Sequence, residues 1–133
     1  LLFRDVDRSH EGDQAILREI VDDLEERYRG KRKGIFLSND ILASTLLNLL
    51  FRRYGRLPDD YKIVGFTVSP TSREAIIPLS SVGQQVDRLA HEAVGLVVDQ
   101  IKARKEGRPL SKTPVHKVID PVLVRRESTE GER

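Results

Sequence analysis

The chain predicts a Rossmann-like, layered α/β fold with a mostly parallel sheet. Apolar residues at three- and four-residue steps alternate along it with short apolar runs that suit buried strands. The helical segments close at Gly30, Gly55 and Gly107, and strand-like runs break off into polar clusters. With 133 residues and 38% hydrophobic content, there is material for one modest core.

Leu1 to Val6 read as a strand already under way. Ile16, Leu17, Ile20, Val21, Leu24 and Tyr28 then share one side of a helix that starts near Ser9 or Glu11 and ends at Gly30. Its other face carries Arg18, Glu19, Asp22, Asp23, Glu25 and Glu26, a solvated set. "GIFL" from Gly34 is a buried strand that stops abruptly at Ser38, Asn39 and Asp40. A second helix follows, apolar at Ile41, Leu42, Leu46, Leu49, Leu50 and Tyr54, with Gly55 placed to end it in a left-handed conformation. In "GRLPDD" the ring of Pro58 keeps that helix from resuming.

"YKIVGFTV" is the next strand, and the Pro70 and Ser/Thr-rich stretch after it a loop. "AIIPLSSV" is an edge-type strand, because Pro78 cannot donate a ladder hydrogen bond. Val86, Leu89, Ala90, Ala93, Val94, Val97 and Ile101 mark the apolar stripe of a third helix, with basic residues and Gly107 at its end. "RPLSKTP" connects it to a last strand in "VHKVIDPVLV", and "RRESTEGER" is a tail with nothing to pack.

Lys and Arg number 23 against 21 Asp and Glu, a formal charge of +2, which is too balanced for a chain whose main partner is a phosphate backbone. The absence of cysteine excludes disulfides, thiolate zinc sites and cysteine nucleophiles. His10, His91 and His116 share no metal-ligand spacing, and no metal or cofactor is expected. No run approaches the roughly 20 apolar residues of a membrane span, and nothing resembles an export signal. The lack of methionine, position 1 included, reads as an excised, processed or engineered piece.

In sheets of this class ligands gather at the carboxyl ends of strands, here Asp5 to Ser9, Ser38 to Asp40, and Thr67 to Ser69. "DVDRS" resembles the nucleophile motif of haloacid dehalogenase-type phosphatases. That resemblance implies Asp5 as nucleophile, Asp7 as acid or base, both on magnesium, and Ser38 as a phosphate-binding hydroxyl. Such an enzyme needs further acidic ligands on a later strand, and "GFTVSP" carries none. The alternative for Asp5 and Asp7 is a pair of loop acids ahead of a helix N-terminus, which favours negative charge.

A second resemblance covers about Ser9 to Thr129. "GIFLSNDILASTLLNLLFRRYGRLPDDYKIVGF", then "IIPLSSVGQQ", then "PVLVRREST" are similar, in order and spacing, to the C-terminal half of the sensor domain of lactose-repressor/galactose-repressor transcription regulators. The resemblance implies a periplasmic-binding-protein-like lobe that helps to clasp a small molecule, usually a sugar or sugar phosphate, and no enzymatic activity. It also implies a cytoplasmic protein whose DNA-reading head lies outside this chain. Residues 1–126 are then the C-terminal portion of an effector-binding and dimerisation domain, and 127–133 a flexible tail.

Carried over residue by residue, Asn39 takes the position whose amide bonds ligand hydroxyls. As alternatives, Asn39 or Asp40 caps the second helix. Gln84 matches the family glutamine at the crossing between lobes, where Gly83 reads as a hinge or turn residue. Asp7 stands where an aromatic ring is usual, so that Asp7 or Arg8 would meet the ligand by hydrogen bonds. Thr67 stands where the family has an aspartate, so a hydroxyl replaces a carboxylate that accepts two bonds. Ile41, Ser44, Leu47 and Asn48, with Ala75 and Ile76, are candidates for a two-fold contact, although Leu47 also fits the core stripe.

Overall fold

A computed structural model describes residues 10–130. The predicted strand over Leu1 to Val6, and with it Asp5, Asp7 and Arg8, lies outside the described residues. The chain divides into two units, one formed among the described residues by 10–82 and 123–130, the other by Gly83–Val122.

In the first unit, helix α1 (His10–Tyr28) leads into β1 (Lys33–Phe36), α2 (Asp40–Tyr54), β2 (Tyr61–Phe66), the short helix α3 (Pro70–Glu74) and β3 (Ser80–Gly83). β1 pairs with β2 and β2 with β3, both in parallel, with Ile35 beside Ile63 and Gly65 beside Ser81. A fourth strand, β4 (Val122–Val124), completes the order β1-β2-β3-β4. The α/β layering and parallel sheet are as the sequence predicts.

The core forms where the helical stripes meet the sheet. Leu17 and Val21 of α1, Ala43, Leu46, Leu47 and Leu50 of α2, and Tyr61, Ile63 and Leu79 are buried together. Side chains on alternate residues of β2 point to opposite faces, so Tyr61, Ile63 and Gly65 are buried while Lys62, Val64 and Phe66 are only partly covered. Gly55 ends α2 at φ 74°, donating its N–H to the Phe51 carbonyl at 2.8 Å, the left-handed stop predicted for it.

At the amino ends of β1 and β2 sits a buried ionic cluster. Lys33 is 5% exposed, ion-paired with Asp60, 3.8 Å from Glu25, and set over the Tyr61 ring at 4.7 Å. Tyr61 donates its hydroxyl to Glu25 at 2.6 Å. A buried ammonium persists where carboxylates and an aromatic face replace its water.

Four predicted elements are corrected. The Ser/Thr-rich stretch after Pro70 contains α3, started by proline at its first turn, where the missing N–H costs nothing. "AIIPLSSV" is strand only over Ser80–Gly83, leaving Pro78 outside the ladder. Of "VHKVIDPVLV" only Val122–Val124 is strand.

The tail with nothing to pack is instead bound in as far as residue 130. Glu127–Glu130 form a short helix, α5, and Ser128 is fully buried. Ser128 donates its hydroxyl to the Ile63 carbonyl at 2.6 Å and accepts from the Ser80 N–H at 2.8 Å. Arg126 donates its backbone N–H to the Ser80 hydroxyl at 2.7 Å and its guanidinium to the Leu79 carbonyl at 2.6 Å. These bonds satisfy backbone groups of β2 and β3 that would otherwise be buried without partners.

In the second unit, α4 (Val86–Lys105) has no buried residue, and Val86, Leu89, Val94, Val97, Val98 and Ile101 of its apolar stripe are exposed. Lys117 pairs with Glu92 at 2.5 Å, tying the connector to the helix.

Ser128→Ala orphans a buried carbonyl and a buried N–H, so it should lower unfolding free energy by about 1–3 kcal/mol for each group left unpaired, measured by urea denaturation. Burial, reinforced by the bond to Glu25, raises the Tyr61 phenol above its ordinary value. Its contribution to stability is therefore intact below the ordinary tyrosine pKa of about 10 and is lost as pH rises from there toward the folded value. Tyr61→Phe should unfold less steeply than the parent above about pH 10, read from Tm against pH.

Candidate functional site

The carboxyl ends of β1 and β2 meet through one buried side chain. Asp40, the first residue of α2, is 2% exposed. Its Oδ2 accepts the Ser69 N–H at 2.7 Å and the Ser69 hydroxyl at 2.9 Å, and its Oδ1 accepts the Ser81 hydroxyl at 2.6 Å. A carboxylate with three donors in low dielectric is firmly held, because each bond is charge-assisted. The start of α2, the loop after β2 and the middle of β3 are thus locked together.

Space for that carboxylate comes from Gly65. A β-carbon there would lie 2.4 Å from Asp40 Oδ1 and 3.0 Å from Leu79 Cδ2, so any larger residue displaces the acid.

The loop itself is strained. Thr67 has φ 119° and Val68 φ 56°, values that β-branched residues rarely adopt. The strain is sustained by anchors on both sides: the Thr67 N–H donates to the Val82 carbonyl at 2.8 Å, the Val68 N–H to the Ser81 hydroxyl at 3.1 Å, and the Ser69 N–H to Asp40. Thr67 remains exposed at the turn.

Asn39 is the N-cap of α2, with Oδ1 accepting the Leu42 N–H at 2.8 Å. The cap consumes the oxygen and leaves the amide nitrogen with both donors, so capping does not use up the side chain. Asp40 does not compete for the cap; it turns inward. Ser38, next to Asn39, is exposed.

In the second unit Gln84 is exposed, and the left-handed residue at this crossing is Gln85, at φ 51°, rather than Gly83, which ends β3. Gln85 donates its amide to the Asp120 carbonyl at 2.7 Å and so joins the two chain segments of that unit.

The structure brings Asn39 and Thr67 to neighbouring loops, joined through Asp40 and Ser69. Of the two-fold contact set, Ile41 is 67% exposed and Ile76 52% exposed, while Asn48 is exposed and Ser44 and Ala75 are half-buried. Leu47 is fully buried in the core, so it is withdrawn from that set: it widens the apolar stripe of α2. Ser69 and Ser81 were missed by reading carboxylates in isolation; serines at adjacent strand ends beside an Asn-Asp pair are the signal. For phosphatase chemistry, the loop after β2 supplies hydroxyls, not acids, and no acidic or histidine cluster fit for a metal occurs among the described residues.

A parallel α/β sheet whose strand ends expose an amide and hydroxyls belongs to the class of small-molecule-binding lobes. Residues 3–129 match the family model for the periplasmic binding protein-like domain, and the chain belongs to that family. It is 26% identical over 122 residues to the HTH-type transcriptional regulator CelR of Thermobifida fusca, covering 92% of this chain and 33% of CelR. It is 30% identical over 99 residues to the ribose operon repressor of Bacillus subtilis, covering 74% of this chain and 28% of the repressor. The chain thus spans about a third of the length of these curated relatives.

Among solved structures, the CelR–cellobiose complex superposes with a TM-score of 0.69 at 26% identity, over 92% of this chain and 34% of that one. A LacI family transcriptional regulator from Enterococcus faecium with bound ribose shares the fold with a TM-score of 0.72 at 23% identity, over 100% of this chain and 45% of that one. Regulators of the lactose-repressor type are accordingly its homologues, as the sequence motifs imply.

Asp40→Asn replaces one acceptor by an NH₂ that faces another donor, and should destabilise by about 1–3 kcal/mol. Gly65→Ala should match or exceed that loss by displacing the same carboxylate, and thermal unfolding of both variants checks it.

Proposed function

We propose that this chain is the C-terminal portion of the effector-binding domain of a cytoplasmic transcription regulator, binding a sugar or sugar phosphate at the carboxyl ends of β1 and β2. It is a sensor rather than an enzyme, and DNA is contacted through a head outside the chain. The observation that carries the reading is the Asn39–Thr67 surface, where amide donors and a hydroxyl stay exposed while Asp40 is turned inward to hold the loops. Relatives that include a ribose operon repressor and a regulator complexed with cellobiose support a sugar as the ligand.

Asn39 bonds ligand hydroxyls through its amide N–H groups, and Thr67 bonds a further hydroxyl from the adjacent loop. Asp7, Arg8 and Gln84 complete the ligand set. A sensor acts by binding its effector more tightly in one of two arrangements, which biases the attached head. The domain runs through residue 130, because α5 is bonded into β2 and β3. A homodimer forms across α2 through Ile41, Ser44 and Asn48, with Ala75 and Ile76; two isoleucines exposed at 67% and 52% favour that face.

Asn39→Asp separates the two roles of this residue, keeping the cap oxygen while removing the amide donors. In the intact protein, titration with cellobiose, ribose and ribose 5-phosphate should give a Tm increase for at least one ligand, and Asn39→Asp should weaken its binding by about tenfold, the equivalent of roughly 1.4 kcal/mol. No response to any sugar or sugar phosphate in a wider panel would overturn sugar sensing.

A further inference from the structure

We propose that the groove between α1 and α2 is a second ligand site, one that takes the dianionic phosphate of a small phosphate ester. This groove has a volume of about 530 Å³ and is lined from these two helices alone, so it shares no residue with the Asn39–Thr67 surface. Its size falls within the roughly 300–1,000 Å³ usual for small-molecule pockets.

Among the described residues three guanidiniums line it, Arg18 from α1 and Arg52 and Arg53 from α2, against one carboxylate, Asp22. Arg53 is committed to that carboxylate, with Nη1 donating to Asp22 Oδ1 at 2.5 Å. Arg18 and Arg52 have no carboxylate partner among the described residues. Among the described residues the lining therefore carries an excess of +2, as much as the formal charge of the whole chain. Such a local excess attracts a dianion.

The donor set selects the anion. A guanidinium fork bonds an oxyanion in two-pronged fashion, and one carboxylate satisfies one fork. A phosphate monoester carries about −1.5 to −2 charge and three strong acceptor oxygens, so it serves Arg18 and Arg52 together. Gln14, also on the lining, adds amide donors for remaining oxygens or for hydroxyls of the esterified group.

The test titrates the intact protein with inorganic phosphate and with glycerol phosphate, against sodium chloride at matched ionic strength, by calorimetry and Tm. Saturable binding is expected, with the ester at least as tight as inorganic phosphate. Arg18→Gln with Arg52→Gln should weaken it at least tenfold. Arg73→Gln, an exposed arginine of α3, should leave it unchanged. Both groove arginines are exposed, so the double variant should keep the parent Tm in the absence of ligand. A response equal to that of chloride, or binding by the double variant as tight as the parent's, would overturn the site. Because inorganic phosphate carries no sugar hydroxyls and the double variant leaves Asn39 in place, failure here is distinguishable from failure of sugar sensing.

Discussion

The buried carboxylate of Asp40 is the constraint on which the upper end of this sheet depends. Taking a charge out of water costs several kcal/mol unless donors replace the lost hydration. Here the donors are the Ser69 N–H, the Ser69 hydroxyl and the Ser81 hydroxyl, drawn from the loop after β2 and from β3. The acid can be satisfied only when α2, the loop after β2 and the middle of β3 are in register. It therefore specifies the arrangement more than it adds net stability. Gly65 is part of the same constraint, since the carboxylate occupies the place of its missing side chain.

The opposite end of the sheet is closed by another charge, Lys33, set among Asp60, Glu25 and Tyr61. Between the two ends lies an ordinary apolar core. A third fastening comes from Ser128, whose hydroxyl serves β2 and β3 at once. With these in place, Thr67 and Val68 can be kept at positive φ without the loop relaxing, because their own N–H groups are fixed to Val82 and Ser81 and that of Ser69 to Asp40.

Much of this was legible in the sequence where one physical signal dominated. The stripes of α1 and α2, the left-handed stop at Gly55 and the abrupt ending of β1 at Ser38 to Asp40 each follow from local periodicity or backbone freedom. Asn39 reads as either a ligand-bonding amide or an N-cap, and the N-cap is the role the structure shows. The failures share a cause. Ser128 sits in a strongly charged stretch, "RRESTEGER", and its burial is decided by partners 48 and 65 positions away, at Ser80 and Ile63. Leu47 reads as a two-fold contact or as part of the core stripe, and the structure buries it in the core. Asp40 reads as a possible cap of α2, whereas its side chain bonds Ser69 in the loop after β2 and Ser81 in β3.

Charge and neutrality are also divided between surfaces. At the strand ends Asp40 is consumed internally, so what remains outward among the described residues is an amide and hydroxyls, groups matched to a polyhydroxylated ligand. On the helical layer the reverse holds: Arg53 is paired with Asp22, and among the described residues Arg18 and Arg52 remain exposed with no carboxylate partner. In both places the internal bond decides the chemistry offered to solvent, because a group already paired in the folded chain has little left to give a ligand. A reading of function from residue type alone would rank Asp40 and Arg53 first. Their hydrogen bonds transfer that role to the neighbours they leave free.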